Sequence, residues 1–222
     1  MNKKELASHL DNANHHANCT SGDIKNLCAQ VLRHKFNSAF VNPYYVLLAK
    51  KLIKGKAHVG TIVGFPFGED TAGSKIFSAA ESAGNGADEL DISMNVGMFK
   101  EKRYGAVLSD MKKTVRTAKK INSKIIVKFI IETGYLNDKE IIKAAELVAQ
   151  SGADFVKTCS GYGPRGATIR DVKLIKKAVG NKAKIKVAGG ITTTRQALAF
   201  IKAGAHRIGT SHAVEIVEGI KS

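Results

Sequence analysis

At 222 residues, 44% of them hydrophobic, the chain is long enough for one substantial core, and with no Pro/Ser-rich linker or low-complexity block it reads as a single domain over 1–222. The formal net charge of +16 does not make a nucleic-acid footprint: lysines spread in pairs such as Lys50-Lys51, Lys112-Lys113, Lys119-Lys120 and Lys176-Lys177, without interleaved aromatics or an arginine-rich run, and suit solvated helix faces that steer an anionic metabolite. Three scattered cysteines (Cys19, Cys28, Cys159), a polar start at Met1–Glu5 and no stretch near the roughly 18 apolar residues of a membrane span exclude a disulfide framework and predict a soluble, cytoplasmic protein without a membrane partner.

Along the chain, short β-rich runs alternate with stretches of helical periodicity. Strands are predicted at 8–11, 37–41, 57–63, 88–92, 123–130, 153–157, 183–187 and 206–209. Helices are predicted at 22–34, 43–53, 70–85, 101–120, 138–151, 168–179, 193–203 and 211–218. Eight βα units in this length predict a (β/α)₈ barrel of the TIM type. The joints repeat: Asn85-Gly86-Ala87-Asp88, Ser151-Gly152-Ala153-Asp154 and Ala203-Gly204-Ala205-His206 each put glycine where a helix needs a left-handed cap before a strand. Gly161-Tyr162-Gly163-Pro164-Arg165-Gly166 has dinucleotide-loop spacing, but it lies deep in the chain and not after a first strand, so no dinucleotide cofactor is expected.

Chemistry gathers at strand ends. Lys157 and Lys186 each close an apolar run that feeds a glycine-rich turn, and a desolvated lysine beside a second ammonium loses proton affinity and becomes a nucleophile. No Gly-x-Ser-x-Gly, His-Glu-x-x-His or Cys-x-x-Cys offers a rival. Asp91 ends the fourth strand as a carboxylate able to move protons, and Lys128, mid-strand, supports the positive potential as a paired charge. Gly189-Gly190 after the seventh strand and Gly209-Thr210-Ser211 after the eighth form an anion cradle that Gly161 and Arg165 close. His15-His16, being adjacent, lacks metal-ligand spacing, and Cys159 reads as a small buried hydrophobe; no metal is expected.

Several segments in order carry a family pattern: Val41-Asn42-Pro43, Val63-Gly64-Phe65-Pro66, Gly86–Asp91, Val127–Thr133, Ala153–Thr158, Gly166-Ala167-Thr168, Gly189-Gly190-Ile191 and Gly209-Thr210-Ser211. In these the chain resembles the deoxyribose-phosphate aldolases, class I enzymes of the (β/α)₈ type. The resemblance implies metal- and cofactor-free, reversible cleavage of 2-deoxy-D-ribose 5-phosphate into D-glyceraldehyde 3-phosphate and acetaldehyde. It implies Lys157 as Schiff-base lysine, Lys186 as the lysine that tunes it, Asp91 as the proton-relay carboxylate, and a homodimer. The expected substrate-contacting set is Asp11, Asn95, Lys128, Thr158, Gly161, Arg165, Gly189, Gly190, Gly209, Thr210 and Ser211. The chain departs from the family near its start, where Asp-His-Thr-Leu-Leu-Lys-Pro is replaced by Asp11-Asn12-Ala13-Asn14-His15-His16-Ala17, and again at His212, where a second serine is common. A Schiff-base aldolase with another aldehyde acceptor, and a non-catalytic basic barrel binding phosphate or nucleic acid, are the alternatives.

Overall fold

Eight β-rich runs pair in parallel with their sequence neighbours and the last closes on the first, giving a barrel in strand order one to eight. The strands, in a computed structural model that describes residues 1–220, are β1 (Leu10–Asn14), β2 (Ser38–Val41), β3 (His58–Val63), β4 (Glu89–Ser93), β5 (Ile126–Ile130), β6 (Phe155–Lys157), β7 (Lys184–Ala188) and β8 (Arg207–Thr210). Around them run α1 (Lys3–Ser8), α2 (Ser21–His34), α3 (Val46–Ile53), α4 (Ala72–Gly84), α5 (Val96–Lys100), α6 (Tyr104–Ile121), α7 (Asp138–Ser151), α8 (Ile169–Val179), α9 (Thr194–Ala203) and α10 (Ala213–Glu218).

The period-2 alternation of strands separates two interiors. Leu10, Ala39, Val59, Leu90, Ile92, Val127, Phe129, Val156, Ile185, Val187 and Ile208 belong to the one apolar layer between barrel and helices. Their neighbours in sequence, including Asp11, Phe40, Glu89, Asp91, Lys128, Lys157 and Lys186, are buried outside that layer. The barrel lumen is therefore filled largely by long charged side chains where branched apolar residues are usual. Gly60 makes room: a Cβ there would lie 2.3 Å from the Phe40 ring.

The repeated helix-to-strand joints have a shared purpose. Gly86, Gly152 and Gly204 all take positive φ, at 92°, 82° and 120°. Two residues after each glycine, a polar side chain accepts the first amide of the preceding strand or its neighbour: Asp88 from Val59 N at 2.8 Å, Asp154 from Val127 N at 2.8 Å, and His206 from Ile185 N at 3.1 Å. Lys50 and Lys119 clasp Asp88 and Asp154, so these members of the lysine pairs are half-buried partners and not wholly solvated.

Four differences from the predicted elements have local causes. Helix α1 precedes the first strand, capped by the Asn2 side chain on Glu5 N, which moves β1 forward to Leu10–Asn14. The stretch predicted as 43–53 begins with a 3₁₀ turn over Pro43–Tyr45, in which Tyr45 N donates to Asn42 O and Val46 N to Pro43 O, and the α-helix starts only at Val46. The helix predicted at 101–120 starts only at Tyr104, and a separate short helix, α5, precedes it, with Lys102 at φ +60° between the two. The predicted strand 123–130 starts only at Ile126, since Asn122 and Lys124 form a turn through the Asn122 side chain.

Candidate active site

The C-terminal ends of β1, β2, β4 and β6–β8 surround a cavity of about 310 Å³. Its floor holds Asp91, Lys157, Lys186 and Phe40; one side is made by Gly189, Gly190, Gly209, Thr210 and Ser211. The register explains the grouping, because Lys157 on β6 stands beside Lys186 on β7, and Asp91 on β4 beside Lys128 on β5.

Asp91 is the hub. Its Oδ2 accepts from Lys157 Nζ and faces Lys186 Nζ, both at 2.8 Å, while its Oδ1 accepts from Lys128 Nζ at 3.1 Å. Lys186 Nζ also lies 2.8 Å from Asp11 Oδ2 and 3.5 Å from the Phe40 ring centroid. Lys128 continues downward to a short ion pair with Glu89. Glu89 meets Asn37 and the half-exposed His58 at the far end of the barrel, and Asn37 returns to Asp11. Three buried ammonium groups thus face three buried carboxylates, which is the condition for keeping so many charges out of water.

Their proton affinities diverge. Desolvation lowers that of Lys157, Asp91 opposes, and Lys186 and Lys128 push it down again, leaving it below the usual lysine range. Desolvation acts on Lys128 in the same direction, but Asp91 and Glu89 outweigh it and hold Lys128 above that range. Burial raises the pKa of Asp91, yet the three lysines overcome it and keep the carboxylate ionised well below its ordinary value. One lysine is therefore disposed to be a neutral amine and its neighbour to remain charged, the division of labour covalent amine catalysis needs.

The anion side is built from backbone. Gly189 and Gly190 take φ of +97° and +77°, and a Cβ on Gly189 would lie 3.0 Å from that of Cys159. Thr210 Oγ1 ties the β8 loop to the β7 loop through Ile191 O at 2.7 Å, and it accepts from His212 N at 2.9 Å. The amides of Gly190 and Ser211 donate to no acceptor among the described residues and lie beside the cavity.

The other residues named from sequence are distributed as follows. Gly161 lines the cavity. Thr158 does not; its hydroxyl both receives Ala188 N and donates to Ala188 O at 3.1 Å, fastening the ends of β6 and β7. Asp11 and Lys128 lie beneath the floor as charge partners. Two residues stand apart. Asn95 Oδ1 is committed to capping α5 through Met98 N at 2.8 Å, and the Arg165 guanidinium is held by Asp171, Thr133 O and Gly166 O. Arg165 therefore shapes the β6 loop and does not close the anion cradle. The glycine-spaced segment 161–166 is the rim loop between β6 and α8, with no helix opening directly from it.

Sequence reasoning missed Glu89, Asn37 and Phe40, and it named His15, His16 and His212 as departures from the family pattern without a site role; all three imidazoles line the cavity. Glu89 had a signal: at i−2 from Asp91 on a strand it must share Asp91's face. His15 is held down to about 4 by burial first and then by Lys157 and Lys186.

Comparison with known proteins agrees with this geometry. A family model described as DeoC/LacD family aldolase matches residues 6–216. The deoxyribose-phosphate aldolase of Thermococcus kodakarensis is 45% identical over 222 residues, covering 99% of this chain and 98% of that protein. That of Aciduliprofundum boonei is 44% identical over 222 residues, covering 100% and 99%. Among solved structures, an aldolase named QR15 superposes with a TM-score of 0.91 at 36% identity over 96% of this chain and 95% of that one. The deoxyribose phosphate aldolase from Aeropyrum pernix, described as a unique tetramer, gives 0.90 at 28% identity over 97% and 91%. The chain belongs to the DeoC/LacD aldolase family, among the deoxyribose-phosphate aldolases.

Proposed function

We propose that the chain is a class I aldolase that reversibly cleaves 2-deoxy-D-ribose 5-phosphate into D-glyceraldehyde 3-phosphate and acetaldehyde, with Lys157 as nucleophile. The observation that carries this reading is the placement of Lys157 Nζ, of lowered proton affinity, on the floor of the cavity with Lys186 beside it and Asp91 at 2.8 Å. The neutral amine adds to the C1 carbonyl, and loss of water gives an iminium. A water relays the C3 hydroxyl proton to the Asp91 carboxylate as the C2–C3 bond breaks. The bonding pair enters the iminium as an enamine, and C3 leaves as the aldehyde of glyceraldehyde 3-phosphate. Protonation at C2 and hydrolysis then release acetaldehyde and restore the amine.

Lys186, packed beside Lys157, lowers the proton affinity of Lys157 and so favours the free amine there. The backbone cradle of Gly189, Gly190, Gly209, Thr210 and Ser211 takes the 5-phosphate, where unpaired amides suit an anion. Asp11, Lys128 and Thr158 act through these groups: Asp11 and Lys128 hold the charge balance, and Thr158 holds the spacing of Lys157 and Lys186. The single domain predicted over 1–222 is the catalytic unit, a cytoplasmic homodimer in this proposal.

Borohydride trapping with acetaldehyde tests the covalent step. An ethyl adduct mapping to Lys157 and absent from Lys157→Ala supports the reading; adducts scattered over surface lysines, or none, overturn it.

A further inference from the structure

His15 is the first residue beyond β1, on the cavity wall beside the β8 loop. Its ring packs edge-on against Phe65, with centroids 5.0 Å apart at 77°, and Phe65 in turn packs edge-on against Tyr162 at 5.4 Å. That line of rings fixes the imidazole plane. Its Nδ1 is nevertheless buried with no hydrogen-bond partner among the described residues. With Nδ1 out of reach of the cavity, the other ring nitrogen, Nε2, which is not buried and has no hydrogen-bond partner among the described residues, is the one that can meet a ligand. An apolar side chain would give the same edge packing without an unpartnered buried nitrogen, and the family motif indeed has leucine at the place of His15. On the same wall, Ala13 stands where that motif has threonine, so the wall has lost one hydrogen-bonding group and gained another two residues on.

We propose that His15 is a specificity-determining residue whose imidazole hydrogen-bonds the C4 hydroxyl of the open-chain sugar phosphate, a recognition that rests on the function proposed above. The other polar groups of that substrate already have partners: C1 is bound to Lys157, the C3 hydroxyl is served by Asp91, and the phosphate lies in the glycine loops. The C4 hydroxyl is left. A ring with a pKa of about 4 is uncharged at neutral pH, so it is neither a phosphate-binding cation nor an effective proton acceptor, but it can donate or accept a neutral hydrogen bond.

The test is addition of acetaldehyde to two phosphorylated acceptors, D-glyceraldehyde 3-phosphate and 3-oxopropyl phosphate, which lacks only the hydroxyl in question. Wild-type protein should prefer the first in kcat/KM by about tenfold or more, because a site built to bond a hydroxyl rejects the analogue without it. His15→Leu and His15→Phe should bring the two acceptors to within about threefold, by loss on the hydroxylated one. Trapping of acetaldehyde on Lys157 should persist in both variants, since the donor carries no hydroxyl. A retained preference, an equal loss on both acceptors, or loss of trapping in both variants would overturn the proposal. If wild-type protein forms no Lys157 adduct at all, the function proposed above has failed, and this inference falls with it.

Discussion

Lys157 and Lys186 are register partners on adjacent strands, and both approach the same oxygen of Asp91 at 2.8 Å. Two ammonium groups converging on one carboxylate oxygen cannot both be fully compensated by it. Lys186 has a second carboxylate in Asp11, whereas the ion pair of Lys157 is with Asp91 alone. Of the two lysines on the cavity floor, Lys157 has the poorer share of negative charge, and its proton affinity is lowered.

Replacing Lys186 should therefore change the pH at which Lys157 reacts. Removing its positive charge raises the pKa of Lys157, so in Lys186→Gln the acidic limb of the acetaldehyde-trapping rate should move to higher pH. Activity at neutral pH should fall by about 10²-fold or more, in keeping with general acid–base and amine-activation effects. Trapping rate against pH for both proteins checks this; an unmoved limb would remove Lys186 from the tuning role.

Asp91→Asn tests the hub. The substitution leaves three buried lysines facing two carboxylates, and an uncompensated buried charge costs about 3–5 kcal/mol. Chemical denaturation at pH 7 should show a loss of that order. Acid behaviour should change as well. The folded pKa of Asp91 lies below the unfolded one, so its contribution is present above the ordinary carboxylate range and is lost as pH falls through the folded value. The variant should have a shallower loss of stability below about pH 4 than the wild type, the unfolded aspartate titrating there.

Much of this was legible before any coordinates. Glycine–Ala–Asp joints, period-2 runs and lysines at strand ends suffice for the barrel and for the position of Lys157, Lys186 and Asp91 on its strands, because these follow from local pattern. What escaped depends on which partner each side chain takes once the chain is folded. Asn95 looks like a site residue at a strand end, yet capping α5 uses its side chain. Arg165 is similarly spent on Asp171, six residues away. Lys75 carries the same warning for the lysines assigned to solvent: it is 1% exposed and paired with Asp110 of α6. His15 was read for metal spacing and as part of a departure from the family pattern, neither of which shows an imidazole meeting Lys157 through tertiary structure.

The anion cradle predicts selective damage. Ser211 is exposed at the cavity, and Ser211→Asp places a carboxylate where the phosphate is proposed to sit. Its KM for 2-deoxyribose 5-phosphate should rise by about tenfold or more, as like-charge juxtaposition costs more than about 1 kcal/mol. Unphosphorylated 2-deoxyribose should be affected by less than about threefold, since it presents no charge to the new carboxylate. Steady-state kinetics with the matched pair decides the point, and a parallel loss on both sugars would place the phosphate elsewhere.

At the opposite end of the barrel, His58 should make stability depend on pH near neutrality. Its hydrogen bond to Glu89, opposed by partial burial, raises its pKa above the ordinary histidine value. A raised folded pKa gives stability that is full below the unfolded pKa and is lost as pH rises through the folded one. With the side chain about half exposed, solvent screening keeps the effect below about 1 kcal/mol. The melting temperature of wild type should therefore fall slightly between pH 6 and pH 8 relative to His58→Gln, and identical pH slopes would refute the coupling.

Two lumen glycines should fail in different ways when a methyl group is added. In Gly60→Ala the new Cβ would sit 2.3 Å from the Phe40 ring, which lies under Lys186 and is 2% exposed, so the rigid ring as a whole must be displaced. Overpacking of this kind costs about 1–3 kcal/mol or more. In Gly209→Ala the nearest atom is Lys186 Cε at 2.9 Å, in a flexible chain that can shift. The shift is cheap for folding but moves an ammonium group that sets the proton affinity of Lys157. Gly60→Ala should therefore lose more in denaturation midpoint, and Gly209→Ala proportionately more in kcat. Measuring both quantities on both variants separates a lumen that only fills space from one whose packing positions the reacting amine, and equal ratios of stability loss to activity loss would favour the first.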